Sequence, residues 1–391
     1  MRRGNFRLSV KVTAGVLILV AIAGLFEALA RGVYAYQEEL RSNLVVSGFL
    51  QRSLILDPYE MPSPDGLYHW VLRPSYQADR RELIAQKQRA GRVLGTSALQ
   101  SIDSKRERKT GLRINMDGFK GPDLDKSHAR PRLLALGDST TFGISDTSYP
   151  RHLESILNQR GVPIEVVNGG VEGYFPCNLI YEIERYKALK PEMVIIYIGW
   201  NSLFSNVPWE ADWENILRGV WLYKRAKRTM MALFDDPHAY ALRLYNRDLK
   251  PDSGSPEVRT LETFTPPFMG RIERLIDEFE SIVTRVVLVT LPGLFTMSVN
   301  PSPRALKIGH LPYFTTNPIV LAKMTERFNT VLRALAERRG IGLVDLEKWS
   351  VQTLQPRDAF FSDSVHLTPK GLNMIGAFIA DQLEGQILKS R

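Results

Sequence analysis

Ser139 follows a short apolar run, Leu133 to Leu136, that stops at Gly137. The run has the length and continuity of a buried parallel strand. Ser139 therefore falls at its carboxyl edge, where open α/β sheets gather ligands and reacting groups. A serine on such a turn can attack a carbonyl if a base takes its proton and N–H donors hold the oxyanion. Two further apolar runs also end in glycine turns: Ile164 to Val167 before Asn168-Gly169-Gly170, and Met193 to Ile198 before Gly199-Trp200-Asn201-Ser202. The Gly170 N–H, the N–H of Ser139 itself and the Asn201 carboxamide are the candidate oxyanion donors. Taken singly, each is an ordinary feature: Gly137 bends a chain, Asp138 or Ser139 caps a helix, Asn201 closes a turn. Together they form a constellation.

A base is then required. Asp-x-x-His occurs three times, as Asp125–His128, Asp235–His238 and Asp363–His366. Position separates them. The first pair precedes the Ser139 strand, and the second lies within a long insertion. Asp363–His366 follows the last expected strand and leads into Leu367-Thr-Pro-Lys-Gly371, where Thr368 can cap a helix with Pro369 at its first position. His366 is thereby expected on a loop above the carboxyl edge, with Asp363 accepting from its Nδ1.

The elements that must position these groups alternate. Strands are expected at 133–136, 164–167, 193–198, 286–291 and 342–345, and helices at 148–160, 179–190, 266–282 and 318–339. Alternation of this kind implies a five-stranded parallel sheet covered on both faces, and right-handed crossovers make it a three-layer α/β/α sandwich. Residues 203–265 form an insertion too long for a simple crossover. It carries Trp209, Trp213 and Trp221, with Trp200 just before, either as packing for the insertion or as an aromatic wall for a sugar ring or acyl chain.

The order Gly137-Asp-Ser139, Gly170, Gly199-x-Asn201 and Asp363-x-x-His366 resembles the SGNH (GDSL-type) hydrolase family over about residues 131–390. The resemblance implies a flavodoxin-like sandwich with Ser139 as nucleophile. Gly170 and Asn201 then complete the oxyanion hole with Ser139, and Asp363 and His366 finish the triad. Asn168-Gly-Gly170-Val-Glu-Gly173-Tyr174 fits the second block of the family, pointing to Gly170 rather than Gly169. Ser202 departs from it, because the family usually carries Asp after the Asn. The serine does not sit in a Gly-x-Ser-x-Gly elbow. Neither a metal nor a cofactor is required.

The amino terminus addresses location. Arg2, Arg3, Arg7 and Lys11 precede an apolar run from Val12 to Phe26. Residues 1–11 read as a cytoplasmic basic segment and 12–30 as a transmembrane signal anchor, if Glu27 lies at the far interface. Ala28-Leu29-Ala30 offers the rival reading, a cleaved signal peptide. On either reading the bulk of the chain is extracytoplasmic: residues 31–130 as a stalk and irregular approach, and 131–391 as the hydrolase domain. Pro58, Pro62, Pro64 and Pro74 break any long helix in the approach, which should lay Ile114 and Phe119 against the core.

The chain has 391 residues, 44% of them hydrophobic, enough for one large domain with appendages. Cys177 is the sole cysteine, so neither an internal disulfide nor a cysteine-rich metal site is possible. The net charge of +9 is spread without an arginine stripe, which argues against nucleic acid as a partner. The densest run, Lys105 to Lys109, reads as a solvated linker or a contact with anionic lipid. The expected activity is removal of O-acetyl or other short acyl groups from an envelope or exported glycan. A lipase or lysophospholipase, a glycan O-acyltransferase and a non-catalytic glycan-binding or assembly protein are the alternatives. Oligomeric state is not legible.

Overall fold

The computed structural model describes residues 13, 15, 17–28, 57–63, 70–89, 111–205, 208, 247–282, 284–312 and 314–388. The chain divides into two compact units. One consists of Leu56–Ser63, Leu67–Trp209 and Ala241–Arg391, and contains all the elements labelled below.

Short strands β1 (Glu60–Pro62) and β2 (Trp70–Leu72) pair antiparallel, as do β3 (Gln77–Asp79) and β4 (Gly111–Arg113). These two ribbons occupy part of the segment read as an irregular approach, and Ile114 and Phe119 beyond them are buried as expected. The main sheet follows: β5 (Arg132–Gly137), β6 (Glu165–Gly170), β7 (Met193–Tyr197), β8 (Arg285–Val289) and β9 (Gly342–Val344). All neighbours are parallel, in the order β6-β5-β7-β8-β9. Leu133 to Leu136 and Val194 to Ile196 are buried on both faces, which is why they read as unbroken apolar runs.

Helix α1 (Ser139–Phe142) follows β5, and α2 (Tyr149–Gln159) leads to β6. After β7 come α3 (Trp200–Ser205) and α4 (Met269–Glu280); α5 (Pro318–Arg339) precedes β9, and α6 (Pro369–Leu388) ends the domain. The step from β5 to β6 runs opposite to all later steps. Right-handed crossovers therefore put α2 on one face and α4 and α5 on the other. Helix α6 joins α2, and the five-stranded sheet is held between helical layers. The helix expected over 179–190 is instead two short ones, Pro176–Tyr181 and Ile183–Ala188, broken at Glu182.

The reversal of strand order opens a crevice at the carboxyl ends of β5 and β7. Ser139 and Asn201 lie directly after those two strands. Gly137 is needed where β5 ends, because a Cβ there would collide with Thr141 Oγ1 and the Tyr197 carbonyl. The opposite, amino end of the sheet is tied by a buried pair, Arg132 Nε donating to Glu165 Oε2 at 2.7 Å.

Residues 17–28 are helical and belong to the other unit. Leu17, Ile18, Leu19, Val20, Leu25 and Phe26 of this helix each expose more than half of their surface. Among the described residues, no helix is long and apolar enough to cross a membrane. The expected 12–30 span lies partly outside the described residues. So do Lys105 to Lys109, Trp209, Trp213, Trp221 and the pair Asp235–His238.

Candidate active site

The Ser139 side chain is presented by a tight local structure. Asp138 is fully buried, and its carboxylate accepts from Thr140 N at 2.9 Å and Thr140 Oγ1 at 2.8 Å, capping α1. Ser139 is thus the first residue of a four-residue helix, and its N–H points out of the helix start rather than into the ladder.

Residues 360–371 supply the partners. Phe361 bridges to Leu367 and Ser362 N donates to the His366 carbonyl at 2.8 Å, so the chain turns sharply around Asp363. Thr368 Oγ1 accepts from Gly371 N at 3.3 Å, with Pro369 opening α6, as the sequence pattern implied. Within this turn Asp363 Oδ1 accepts from Val365 N at 2.9 Å and His366 N at 2.8 Å. Its other oxygen lies 2.7 Å from His366 Nδ1. His366 Nε2 in turn lies 2.8 Å from Ser139 Oγ, across 227 residues of sequence. The His366 proton is assigned to Nδ1 by this network, which leaves Nε2 as the acceptor.

Electrostatics follow the geometry. Burial alone would lower the His366 pKa. The Asp363 carboxylate and its hydrogen bond, with Asp138 and Glu172 further off, outweigh it and push the imidazole up to about 9. For Asp363, burial would raise the carboxyl, but the positive charge on His366, with His310 and the hydrogen bonds from His366, holds it well below the usual carboxylate range. His310 Nδ1 stands 4.0 Å from Asp363 Oδ1, its ring against Phe204 of α3, and burial lowers its pKa. The Ser364 hydroxyl accepts from His310 N at 2.9 Å, and Leu294 N donates to the Ser364 carbonyl at the same distance, so the His366 turn is braced against the loop after β8.

The donor side differs from expectation at one residue. Gly170 is the last residue of β6, in register with Gly137, and its N–H already donates to Asn168 Oδ1 at 2.9 Å. A Cβ on Gly170 would run into the backbone of Phe142, so the residue is packed beneath α1. Its amide is not available to an incoming oxyanion, because the Asn168 carboxamide oxygen already accepts from it. The next turn holds a different donor. Tyr174 N donates to the Val171 carbonyl at 3.3 Å, and Gly173, third of the four residues, has φ +76°. Such a turn favours glycine at that position. Among the described residues, Gly173 N–H has no hydrogen-bond partner. The signal was present in Val171-Glu-Gly173-Tyr174 as a turn pattern. Asn201 reaches the same turn: its Nδ2 donates to the Tyr174 carbonyl at 2.9 Å, and a carboxamide nitrogen carries a second N–H. Ser202, at the position that departs from the family pattern, is buried within α3.

Of the other Asp-x-x-His pairs, Asp125–His128 lies at the wrong end of the sheet. Asp125 N donates to Glu165 Oε1, and the Asp125 carbonyl accepts from Arg132, where β5 and β6 begin. His128 is exposed there.

A hydroxyl, an imidazole and a carboxylate in this relay, beside N–H donors, can perform nucleophilic acyl transfer. Residues 135–372, more than half of the chain, match the model of the GDSL-like lipase/acylhydrolase family. Among solved structures, a lipase/acylhydrolase from Enterococcus faecalis matches at 16% identity and a TM-score of 0.39, covering 66% of this chain and 96% of its own. An acetylxylan esterase from Geobacillus stearothermophilus matches at 19% and 0.39, covering 66% and 94%. Neither likeness bears on substrate. No curated protein matches the chain. The chain belongs to the GDSL-like lipase/acylhydrolase family, the SGNH hydrolases, and is an enzyme acting on ester bonds.

Proposed function

We propose that the protein is an extracytoplasmic serine esterase that removes O-acetyl or other short acyl groups from an envelope or exported glycan. The single observation that carries the catalytic assignment is the approach of His366 Nε2 to Ser139 Oγ at 2.8 Å, with Asp363 behind it. Ser139 Oγ attacks the ester carbonyl while His366 Nε2 takes its proton. Asp363 holds the imidazole's orientation and stabilises the imidazolium that forms. The carbonyl oxygen gains charge, met by the Ser139 N–H, the Gly173 N–H and the second N–H of Asn201 Nδ2. The imidazolium then protonates the leaving alcohol. Water, activated by the same imidazole, releases the acyl group from Ser139.

The carrier is argued from the sequence of the 203–265 insertion, which mixes Trp209, Trp213 and Trp221 with Lys224-Arg225, Lys227-Arg228 and Asp235-Asp236. Aromatic and charged groups together suit a hydroxyl-rich carrier, and the insertion has no long uninterrupted apolar stretch to line an acyl channel. Location is argued from Arg2, Arg3, Arg7 and Lys11 ahead of an apolar segment, and from the exposed apolar side chains of helix 17–28. These favour a membrane-held amino terminus with the hydrolase domain outside.

Three experiments test this reading. Acetate release from O-acetylated glycans should depend on Ser139, and kcat/KM on soluble esters should fall once the acyl group exceeds a few carbons. A steady rise with chain length, at about 0.8 kcal/mol per methylene, would replace the glycan esterase with a lipase. Protease added to the outer membrane face should remove a carboxyl-terminal tag; protection of that tag would reverse the orientation.

A further inference from the structure

The 57–72 segment, which precedes the family match, touches the catalytic loops through Trp70 and Tyr59. Trp70, at the start of β2, donates from Nε1 to the Glu172 carbonyl at 3.1 Å. Its ring lies directly under Gly173, where a Cβ would sit 3.0 Å from the indole. Tyr174 closes the contact, its hydroxyl donating to the Trp70 carbonyl at 2.5 Å and its ring meeting the indole edge-on. Tyr59 forms the second point. Its hydroxyl is hydrogen-bonded to Glu172 Oε2, and its ring stacks on Phe142, the last residue of α1, at 5.4 Å.

The Glu172 carbonyl and the Gly173 N–H belong to one peptide group. That group is planar and trans, so the two bonds point in opposite directions. The central peptide of a four-residue turn can flip, carrying its N–H to the other side. A donor fixed on the Glu172 oxygen selects one of the two orientations and keeps the Gly173 N–H on the face away from the indole. That face adjoins Tyr174, whose carbonyl is bound by Asn201.

We propose that Trp70 is a positioning residue for ester hydrolysis, holding the Glu172–Gly173 peptide in the orientation that presents the Gly173 N–H to the oxyanion. Tyr59 assists by tying the Glu172 side chain to Phe142 and hence to the helix that carries Ser139. A part of the chain outside the hydrolase family match thereby completes the oxyanion hole. The proposal rests on the serine esterase reading above.

The test uses the full chain, a soluble acetyl ester and two variants, each removing one hydrogen-bonding group and keeping an aromatic side chain. Trp70→Phe removes the donor to the Glu172 carbonyl, and Tyr59→Phe removes the hydroxyl. An oxyanion donor acts on charge that develops in the transition state, so its misplacement lowers kcat rather than raising KM. Trp70→Phe is expected to lower kcat about tenfold or more with KM little changed. Tyr59→Phe should do the same to a smaller extent. Each variant should keep the melting temperature and the cooperative unfolding of the wild type; should one fail to fold, the other decides. Unchanged kcat, or a loss residing wholly in KM, in a folded variant overturns the proposal. Failure of the underlying reading looks different: the wild type would then turn over no ester, or Ser139→Ala would retain its activity.

Discussion

Asp363 divides its two oxygens between tasks: Oδ1 accepts two backbone N–H groups of its own turn, and Oδ2 faces His366 Nδ1 at 2.7 Å. The first interaction sets the carboxylate rigidly, so the second can hold the imidazole in one orientation. The pairing has a consequence for pH. His366 must be neutral to accept the Ser139 proton, and its pKa is pushed up to about 9. Activity should therefore fall as pH drops through that region, so kcat/KM is expected to climb from pH 6.5 towards 9. A plateau already reached by pH 6.5 in a kcat/KM profile would contradict this.

The same pair contributes to stability with opposite pH dependences. His366, raised above its ordinary 6.5, contributes fully below that value, and its contribution is lost as pH rises through about 9. Asp363, lowered from 3.8, contributes above that value and loses its contribution as pH falls towards its lowered pKa. Denaturant midpoints of wild type and Asp363→Asn should differ most between these limits and converge in strong acid.

Removing the reacting groups should abolish turnover without unfolding the domain. Ser139→Ala and His366→Ala are expected to reduce kcat on an activated ester by several orders of magnitude, and Asp363→Asn by about 10⁴-fold. Near wild-type rates in Ser139→Ala, with labelling by a serine-directed phosphonate elsewhere, would displace the nucleophile.

Asn201 gives one N–H to the Tyr174 carbonyl, and the other is the proposed oxyanion donor. Asn201→Ala should lower kcat by about 10²-fold or more while leaving KM close to wild type. A loss confined to KM would make Asn201 a brace for the turn and nothing else.

Arg132 and Glu165 are almost fully buried, and Arg132 also donates to the Leu189 and Asp125 carbonyls at the amino end of the sheet. Glu165→Ala leaves the guanidinium buried without its carboxylate, a loss of about 3–5 kcal/mol in a denaturant titration. Because the pair lies at the far end of the strands from Ser139, kcat below the unfolding transition should be unchanged.

Much of the molecule is legible in its sequence. Continuous apolar strands and amphipathic helices alternate with a period that only a parallel sheet satisfies, and α5 was read at its observed bounds of 318 and 339. The Ser139, Asn201 and His366 positions followed because each lies just after a strand or before a capped helix, where local sequence dictates the turn. Gly170 is not the donor its position implies, because its amide is taken by the side chain of Asn168, two residues earlier, a contact that no periodicity encodes. Helix 179–190 was read as continuous although the chain breaks it at Glu182.

The linear order of motifs determined the fold, the nucleophile and its base, because these depend on hydrophobic pattern and on chemistry carried within short stretches. Only the tertiary structure decided how the 57–72 segment serves them. Trp70 meets Glu172 across 102 residues and Tyr59 meets it across 113. Such contacts arise when the assembled sheet brings its loops to one edge. A tryptophan in a proline-rich approach carries no pattern that says which peptide it will hold, and its partner is a backbone carbonyl, which every residue possesses.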